Sequence, residues 1–300
     1  MFKGARSLSR LIPIKYHNKR YPPHISSNIQ EVAGHFDKGQ VYINTPYSLH
    51  TEYSYASRKL NSNVLNGLDA IRNAHKDFIP QLWKSADWAI EFAIFIKRLV
   101  DKKLPPEIIE IHPPFDDYCE TFEQFIEMYM CFYEEISATF PDVKIFIENR
   151  CGTQYRGGKF LVSTGSDILK LCKIIKQNGL QLSIVLDYPQ LFTAQKIGMN
   201  NIDLAPIIDF NTRLVEYRDV VDGIHIWGRR KNSKGRWITH VGDLNSYFDN
   251  NQVLKNKFLL SLYHTFDDDN KRYFVPEVNS GEEDLFSIVS DLESAGFKMM

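Results

Sequence analysis

The stretch "IFIENR", residues 145–150, decides the fold class of this chain. Residues of high strand propensity lead into Glu148, and the following amide and cation end the run. A strand that is apolar on both faces is buried, and a buried carboxylate without a partner is strongly destabilising. Glu148 therefore predicts either a paired group or a cation at the end of this strand.

Similar runs recur along the chain, and each is apolar on both faces, as is typical of parallel strands covered by helices. The predicted strands are "VYINT" (41–45), "EIIEIH" (107–112), "VKIFIE" (143–148), "LSIVLD" (182–187), "VDGIHIW" (221–227) and "YFVPEV" (273–278). Helices are predicted at 84–102, 121–139, 166–178, 203–217, 245–262 and 282–295, with a further helix near 63–75. The alternation predicts an α/β parallel sheet, either a closed barrel or an open doubly wound sheet. No GxGxxG motif follows an early strand, which disfavours the dinucleotide-binding form.

The composition is typical of a globular protein and sets limits on its partners. The chain has 300 residues, of which 43% are hydrophobic and 24% charged, enough for one large α/β domain. A net charge of −1 supplies no global attraction to nucleic acid or to a membrane surface. The four cysteines lack metal-finger spacing, and no run reaches the roughly 18 apolar residues of a membrane span. We therefore expect free thiols and a cytoplasmic protein.

Potential metal ligands stand at or near the carboxyl ends of five consecutive predicted strands. They are His112, Glu148, Asp187, His225 and Glu277. Taken singly, a strand-end aspartate is typical of a helix N-cap, and His112 of a hydrogen-bonded core histidine. In a barrel, however, these strand ends meet on one rim, so five such residues in register indicate a shared cation site. The mixed oxygen and nitrogen donors suit Mn²⁺, Mg²⁺, Co²⁺ or Zn²⁺.

Six short motifs occur in the order seen in endonuclease IV. They are "INTPYS" (43–48), "IEIHPP" (109–114), "IENRCG" (147–152), "LDYPQLF" (186–192), "IHIWG" (224–228) and "PEVN" (276–279). The chain thus resembles the xylose isomerase-like TIM-barrel superfamily, which includes endonuclease IV and the sugar isomerases and epimerases. The resemblance implies a TIM-type (β/α)8-like barrel. Because residues 1–40 offer one evident strand, "LIPIKY", the expected organisation is an N-terminal arm or first barrel element over 1–40 and a catalytic barrel over 41–300. That barrel is either closed or irregular and incomplete at its N-terminal edge.

The resemblance also implies a metal site. Glu148, Asp187, His225 and Glu277 are similar to the single-metal quartet of the ketose 3-epimerases. Endonuclease IV uses three zinc ions, and several of its further ligands have no counterpart in the motifs of this chain. Its first histidine falls on Asn44, another falls on Gln190, and an expected Asp-x-His pair falls on Ile238 and His240. One divalent metal per chain is therefore expected.

Three functions follow from the resemblance. The first is a sugar or sugar-phosphate isomerase or epimerase, in which Glu148 and Glu277 transfer the proton and His112 and His240 bind hydroxyls or shuttle protons. Its expected substrate-binding residues are Asn44, Tyr47, Gln190, Trp227, Arg229, Arg230 and Lys231. The alternative is an endonuclease IV-like phosphodiesterase acting on abasic DNA, with the basic stretch "RRKNSKGR" (229–236) gripping phosphates. The third is a non-catalytic binding protein on the same barrel. No membrane partner is expected.

Overall fold

Eight parallel strands form a closed barrel in the computed structural model, which describes residues 9–54, 57–101, 103–152, 158–197 and 202–300. The strands are β1 (Arg10–Lys15), β2 (Ile29–Gly34), β3 (Tyr47–Thr51), β4 (Ile108–Ile111), β5 (Lys144–Glu148), β6 (Ser183–Asp187), β7 (Val221–Ile226) and β8 (Lys271–Pro276). Each strand pairs with the next, and β8 pairs with β1, from Arg10 opposite Lys271 to Pro13 opposite Phe274. The TIM-type barrel is confirmed, and it is complete.

The N-terminal edge is closed by strands without helices. β1 and β2 are followed by loops over 16–28 and 35–46, which contain no helix. Two strands therefore fit into the first forty residues, where two full βα units would not. Residues 1–8 of the predicted N-terminal arm lie outside the described residues.

The predicted strand at 41–45 is wrong, and the strand lies six residues later, at β3 (Tyr47–Thr51). Val41 and Ile43 are apolar because they pack against the core from within a loop, while Tyr42 between them is exposed. β-propensity describes a partly buried surface, and a loop that packs its apolar side chains meets the same description.

Helices cover the outside of the barrel from β3 onward. They are α1 (Asp69–Asn73), α2 (Ala86–Leu99), α3 (Phe122–Ser137), α4 (Gly165–Asn178), α5 (Tyr188–Ala194), α6 (Ala205–Leu214), α7 (Leu244–Tyr247), α8 (Gln252–Thr265) and α9 (Glu282–Ala295), with a 3-10 helix at Val215–Val220. α4 begins with a capping box between Thr164 and Asp167. It ends at Gly179, whose φ of 59° is the left-handed conformation that glycine adopts without strain. No helix in the described part of the chain is long and apolar enough to span a membrane.

Inside the barrel, apolar side chains fill the layer below the strand ends. Ile14, Ile29, Ile108, Phe146, Val185, Tyr273 and Val275 form one buried cluster. Successive side chains of a strand point to opposite faces, so the next inward-facing residue is two positions further on. On β5 that step leads from Phe146 to Glu148. The apolar cluster therefore forms the floor beneath a polar layer at the carboxyl ends of the strands.

Candidate metal centre

Eight potential metal ligands converge at the carboxyl end of the barrel. They are Glu31 of β2, His50 of β3, Glu110 of β4, His112, Glu148 of β5, Asp187 of β6, His225 of β7 and Glu277. They fall into three groups, in each of which one donor atom per residue lies within 4.8 Å of the others. The groups are His50 with Glu110, His112 and Glu148; Glu148 with Asp187 and His225; and Glu31 with His225 and Glu277. Glu148 and His225 each belong to two groups, so the donors form one continuous centre.

The first group is built around Glu148. Its Oε2 lies 2.8 Å from His112 Nε2 and 3.6 Å from His50 Nε2. His50 Nε2 also lies 3.5 Å from Glu110 Oε1. His112 Nδ1 lies 3.1 Å from the carbonyl oxygen of Glu52, which fixes the orientation of the ring.

The second group is built around Asp187, which also caps α5 by accepting from Gln190 N. Trp227 Nε1 donates to Asp187 Oδ2 at 2.8 Å, and the Gln190 amide donates to both Asp187 and Glu148. His225 Nδ1 lies 3.3 Å from Glu277 Oε1. The cap and the candidate ligand are therefore one and the same carboxylate.

Burial and mutual charge force this centre to hold extra protons. Burial, followed by the charges of Glu148 and Glu277, raises the pKa of Asp187 well above its usual range. Burial, together with Glu277 and against the attraction of His50, raises the pKa of Glu31 to about 8. Burial opposes charge on His50, but its hydrogen bond to Glu148 and the nearby carboxylates raise its pKa to about 10. Several donors are therefore protonated at neutral pH, and a bound cation would have to displace those protons.

One histidine shows directly why a cation fits. Burial and the nearby charge of His50 lower the pKa of His112 to about 4, so its ring is neutral at pH 7 and carries one N–H. Both of its nitrogens nevertheless face acceptors, the carbonyl of Glu52 and the carboxylate of Glu148. With the proton on Nδ1, the Nε2 lone pair points at a carboxylate. A cation between Nε2 and Glu148 would remove this conflict.

The donor spacing and the orphaned atoms also suit a divalent cation. Donors bound to one tetrahedral ion at about 2.0–2.2 Å lie about 3.3–3.6 Å from each other. The His50 contacts of 3.5 and 3.6 Å and the His225 contact of 3.3 Å with Glu277 match that spacing. Glu31 Oε2, Glu110 Oε1 and His225 Nδ1 are buried and lack hydrogen-bond partners. The residues present therefore fit the divalent metal expected from the sequence resemblance.

A cavity of about 530 Å³ opens onto the centre. Glu31, His50 and Glu277 line it on the metal-ligand side, and Tyr53 and Arg150 line it on another. Arg150 donates from Nη1 to Glu148 Oε2 at 3.1 Å, and its guanidinium lies over the Tyr53 ring at 5.0 Å. Burial opposes charge on Arg150, but Glu148 raises its pKa, so it stays cationic. The guanidinium of Arg150 thus lines the cavity beside the carboxylates of the centre.

Several of the residues predicted from sequence meet at this cavity. His112, Glu148, Asp187, His225 and Glu277 all contribute to the donor groups. Gln190, Trp227 and His240 line the cavity. The His240 ring stacks on Trp227 with ring centroids 4.2 Å apart, and its Nδ1 donates to the carbonyl of Glu277. The tryptophan face is thus already occupied by His240.

Other predicted residues lie elsewhere. Asn44 is exposed in the loop before β3, and Tyr47 begins that strand, so both lie at the end of the barrel opposite to the cavity. Tyr47 donates instead to the carbonyl of Leu104.

The basic residues predicted to bind substrate form part of a hairpin, Arg229–Lys231 with Trp237–Thr239. Arg229 is buried between Trp237 and Tyr247. Arg230 pairs with Asp284, and Lys231 lies over Trp237. None of these three cations lines the cavity described above. The contact of Arg229 with Tyr247 and the ion pair of Arg230 with Asp284 hold the hairpin against α7 and α9. Lys231 contacts its own hairpin through Trp237.

Sequence reasoning missed Glu31, His50, Glu110 and Arg150. His50 was passed over because the strand was placed six residues early, which aligned Asn44 with the first histidine. Glu110 stands two residues before His112, so the inward-facing period of two would have found it. Glu31 had no such signal, since β2 was not predicted. For Arg150, which follows the strand in "IFIENR", the sequence predicts only the end of that strand.

No family model and no curated protein matches this chain. Among solved structures, one described as AsfvAP:AG is 14% identical, covers 83% of this chain and 85% of its own, and has a TM-score of 0.49. A xylose isomerase domain protein from Planctomyces limnophilus is 11% identical over 88% of this chain and 95% of its own, with a TM-score of 0.43. A GH53 catalytic domain from Ignisphaera aggregans is 11% identical over 77% and 62%, with a TM-score of 0.37. The chain's own strand pairing confirms the TIM-type barrel that the resemblance implies. Likenesses this distant bear on fold alone.

Proposed function

We propose that this protein is a metal-dependent hydrolase of phosphate esters that binds two adjacent divalent cations. One observation carries the proposal: Glu148 belongs to two donor groups at once. His50 and His112 complete the group on one side of Glu148, and Asp187 and His225 complete the group on the other, with Glu277 beside His225. A carboxylate shared between two donor groups is suited to bridging two cations.

The charge of the centre also matches two cations. The five carboxylates among the donors of the centre carry five negative charges when ionised. The positive charge of Arg150 reduces the net charge to four negative charges. Two divalent cations balance those four charges, whereas one would leave two buried negative charges uncompensated. Paired cations of this kind supply Lewis acidity to both the attacking and the leaving oxygen of a phosphoryl displacement.

Arg150 supports an anionic substrate. Its guanidinium lines the cavity, and its Nε has no hydrogen-bond partner within the described part of the chain. A planar guanidinium fits two phosphate oxygens, and its present acceptor, Glu148, is the carboxylate that a cation would take up. Arg150 would then hold a phosphate oxygen of the substrate.

Two further residues take defined roles in the proposed reaction. Glu31 Oε2 is unpartnered, and Glu31 lines the cavity. Once bound cations have displaced the proton that Glu31 holds in the metal-free centre, this atom would accept a proton from the water that attacks phosphorus. The ester P–O bond breaks, and solvent in the open cavity protonates the leaving oxygen. Trp227 holds Asp187 in place through its indole N–H. Abasic DNA, the alternative substrate indicated by the sequence, belongs to this class of esters.

The test is metal content followed by activity. We expect about two divalent metal atoms per chain by elemental analysis after reconstitution with Mn²⁺ or Zn²⁺. We expect metal-dependent hydrolysis of bis(p-nitrophenyl) phosphate or of an abasic-site oligonucleotide, with Arg150→Ala raising KM more than it lowers kcat. A protein that binds two metals but cleaves no phosphate ester would contradict the proposal. A protein that binds no metal would also contradict it and would favour the non-catalytic binding protein.

A sugar isomerase or epimerase is the second candidate, and one observation favours it. Glu31 and Glu277 both line the cavity, and one oxygen of each lies within 4.8 Å of the other. Such a pair could remove a proton from a sugar carbon and return it on another face. Deuterium incorporation at a carbon-bound position, followed by NMR over a panel of ketoses and sugar phosphates, would favour this candidate. A stoichiometry of one metal per chain would support it further.

A further inference from the structure

Glu110 is a buried carboxylate within the motif "IEIHPP" (109–114), and the sequence resemblance assigns it no role. It faces into the barrel from β4, two residues above Ile108 of the apolar floor and two below His112. Its exposed fraction is 2%, and its Oε1 has no hydrogen-bond partner. An apolar residue would fill this position without the penalty of burying a charge. The fold alone therefore gives no reason for a carboxylate here.

Each oxygen of Glu110 faces a different histidine. Oε1 lies 3.5 Å from His50 Nε2, and Oε2 lies 3.5 Å from His225 Nε2. These two histidines belong to different sides of the centre, His50 with His112 and His225 with Asp187. Glu110 thus spans the two proposed cation positions from below.

The contacts of Glu110 with His50 and with His225 indicate different roles for its two oxygens. Oε1 belongs to a four-donor group with His50, His112 and Glu148, at the spacing of donors on one ion. His225 has only one nitrogen to give to a cation, and Nδ1 lies beside Glu277 without a hydrogen-bond partner. The other nitrogen of a metal-bound histidine almost always donates its N–H to an acceptor, most often a carboxylate or carbonyl. Glu110 Oε2 is the carboxylate oxygen at the right place.

We propose that Glu110 ligates the first cation through Oε1 and accepts the Nε2–H of His225 through Oε2, which leaves His225 Nδ1 to the second cation. The inference rests on the proposed function in that it requires two cations. It makes Glu110 a link between the two positions, because the same carboxylate completes one and sets the tautomer of the other. Filling the first position therefore prepares the second.

The experiment compares two substitutions on the same stretch of chain. Glu110→Gln keeps the volume and removes the anionic ligand. Glu107→Gln makes the same change directly before β4, at the opposite end of the barrel, where Glu107 accepts from the Tyr273 hydroxyl. Each protein is stripped with chelator and titrated with Mn²⁺ and Zn²⁺ by calorimetry, and bound metal is counted by elemental analysis.

Wild-type protein and Glu107→Gln are expected to bind two cations with the same affinities. Glu110→Gln is expected to bind the first cation at least tenfold more weakly and the second about 10–100-fold more weakly, the range found when a partner of a ligating histidine is lost. The thermal shift on adding metal should shrink in the same order. Two cations bound by Glu110→Gln with unchanged affinities would overturn this inference and leave the proposed function standing.

A wild-type protein that binds fewer than two cations would overturn the proposed function and this inference together. If Glu110→Gln does not fold, Glu110→Asp decides. The shorter carboxylate keeps the charge but cannot reach both histidines, so one cation should bind normally and the other weakly. Wild-type affinity at both positions in Glu110→Asp would overturn the inference.

Discussion

Two consecutive layers of side chains inside this barrel have opposite chemistry, although the same strands carry both. The lower layer is the apolar floor, with Phe146 and Val185 among its members. The upper layer begins two residues later on each of those strands, with Glu148 and Asp187. Both layers stand on the same strands, so their side chains make one a core and the other a centre for cations.

The difference shows how the fold divides its tasks. Burial of the floor stabilises the barrel, whereas burial of the upper carboxylates opposes folding unless protons or cations neutralise them. The raised pKa of Asp187 is a direct result of that opposition. Burial of the apolar floor must therefore stabilise the fold enough to offset the upper layer, which is destabilising until cations bind.

The largest expected effect is on the floor. Phe146→Ala should lower the free energy of unfolding by about 3–5 kcal/mol, because the ring is buried, packs against Tyr273 and would leave a cavity. Urea unfolding of the metal-free protein measures the change. Val253→Ala, at an exposed position of α8, is the control and should stay within about 0.5 kcal/mol of wild type. A small effect of Phe146→Ala would mean that the floor does not carry the fold.

A smaller effect is expected from loading the upper layer. Metal at 100 times its dissociation constant should raise the free energy of unfolding by about 2.7 kcal/mol per site, and chelator should reverse it. Glu148→Gln should lose most of this gain, because Glu148 takes part in two of the three donor groups. Cys151→Ser, which changes a cavity residue outside those groups, should keep the gain. Equal metal stabilisation in all three proteins would place the cation elsewhere.

The smallest effect, counted per pH unit and per group, is the dependence of stability on pH. Glu31 has a folded pKa of about 8 against an ordinary 4.5, and His50 about 10 against 6.5, so between pH 6.5 and 8 the folded metal-free chain binds more protons than the unfolded chain. Its stability should therefore fall as pH rises through that window, by at most about 1.4 kcal/mol per pH unit for each group. Metal-loaded protein should show the reverse, since cations displace these protons. Glu31→Gln should flatten the metal-free slope, and a slope that rises with pH would contradict the assignment.

The strands from β4 onward could be predicted because their sequences are apolar on both faces and end in ligand-type residues. β4 to β8 lie within two residues of their predicted bounds. The same reasoning gave His112, Glu148, Asp187, His225 and Glu277, all of which meet in the donor groups. A charged residue at the end of a buried strand is informative because burial penalises a charge that has no partner.

The second and third strands escaped prediction for a physical reason, whereas β1 matches the expected strand "LIPIKY". β2 reads "IQEVAG", which is polar at two positions because Glu31 belongs to the centre and loops rather than a helix cover the outer face. β3 contains His50 in the same way. Where the functional residues replace the apolar ones, the hydrophobic signal for a strand is lost. Two of the unexpected ligands, Glu31 and His50, thus lie on strands that propensity does not reveal.

The pairing of β1 with β8 also sets the order of assembly. Arg10 meets Lys271 across 261 positions of chain, and Met300 donates to the carbonyl of Leu11. During synthesis the first strand emerges long before its last neighbour, so one edge of it must wait without a partner. Contacts this distant in sequence slow folding, because the entropy of closing so long a chain must be lost before they form. We therefore expect the helix-free N-terminal edge to be the part of the barrel that closes last.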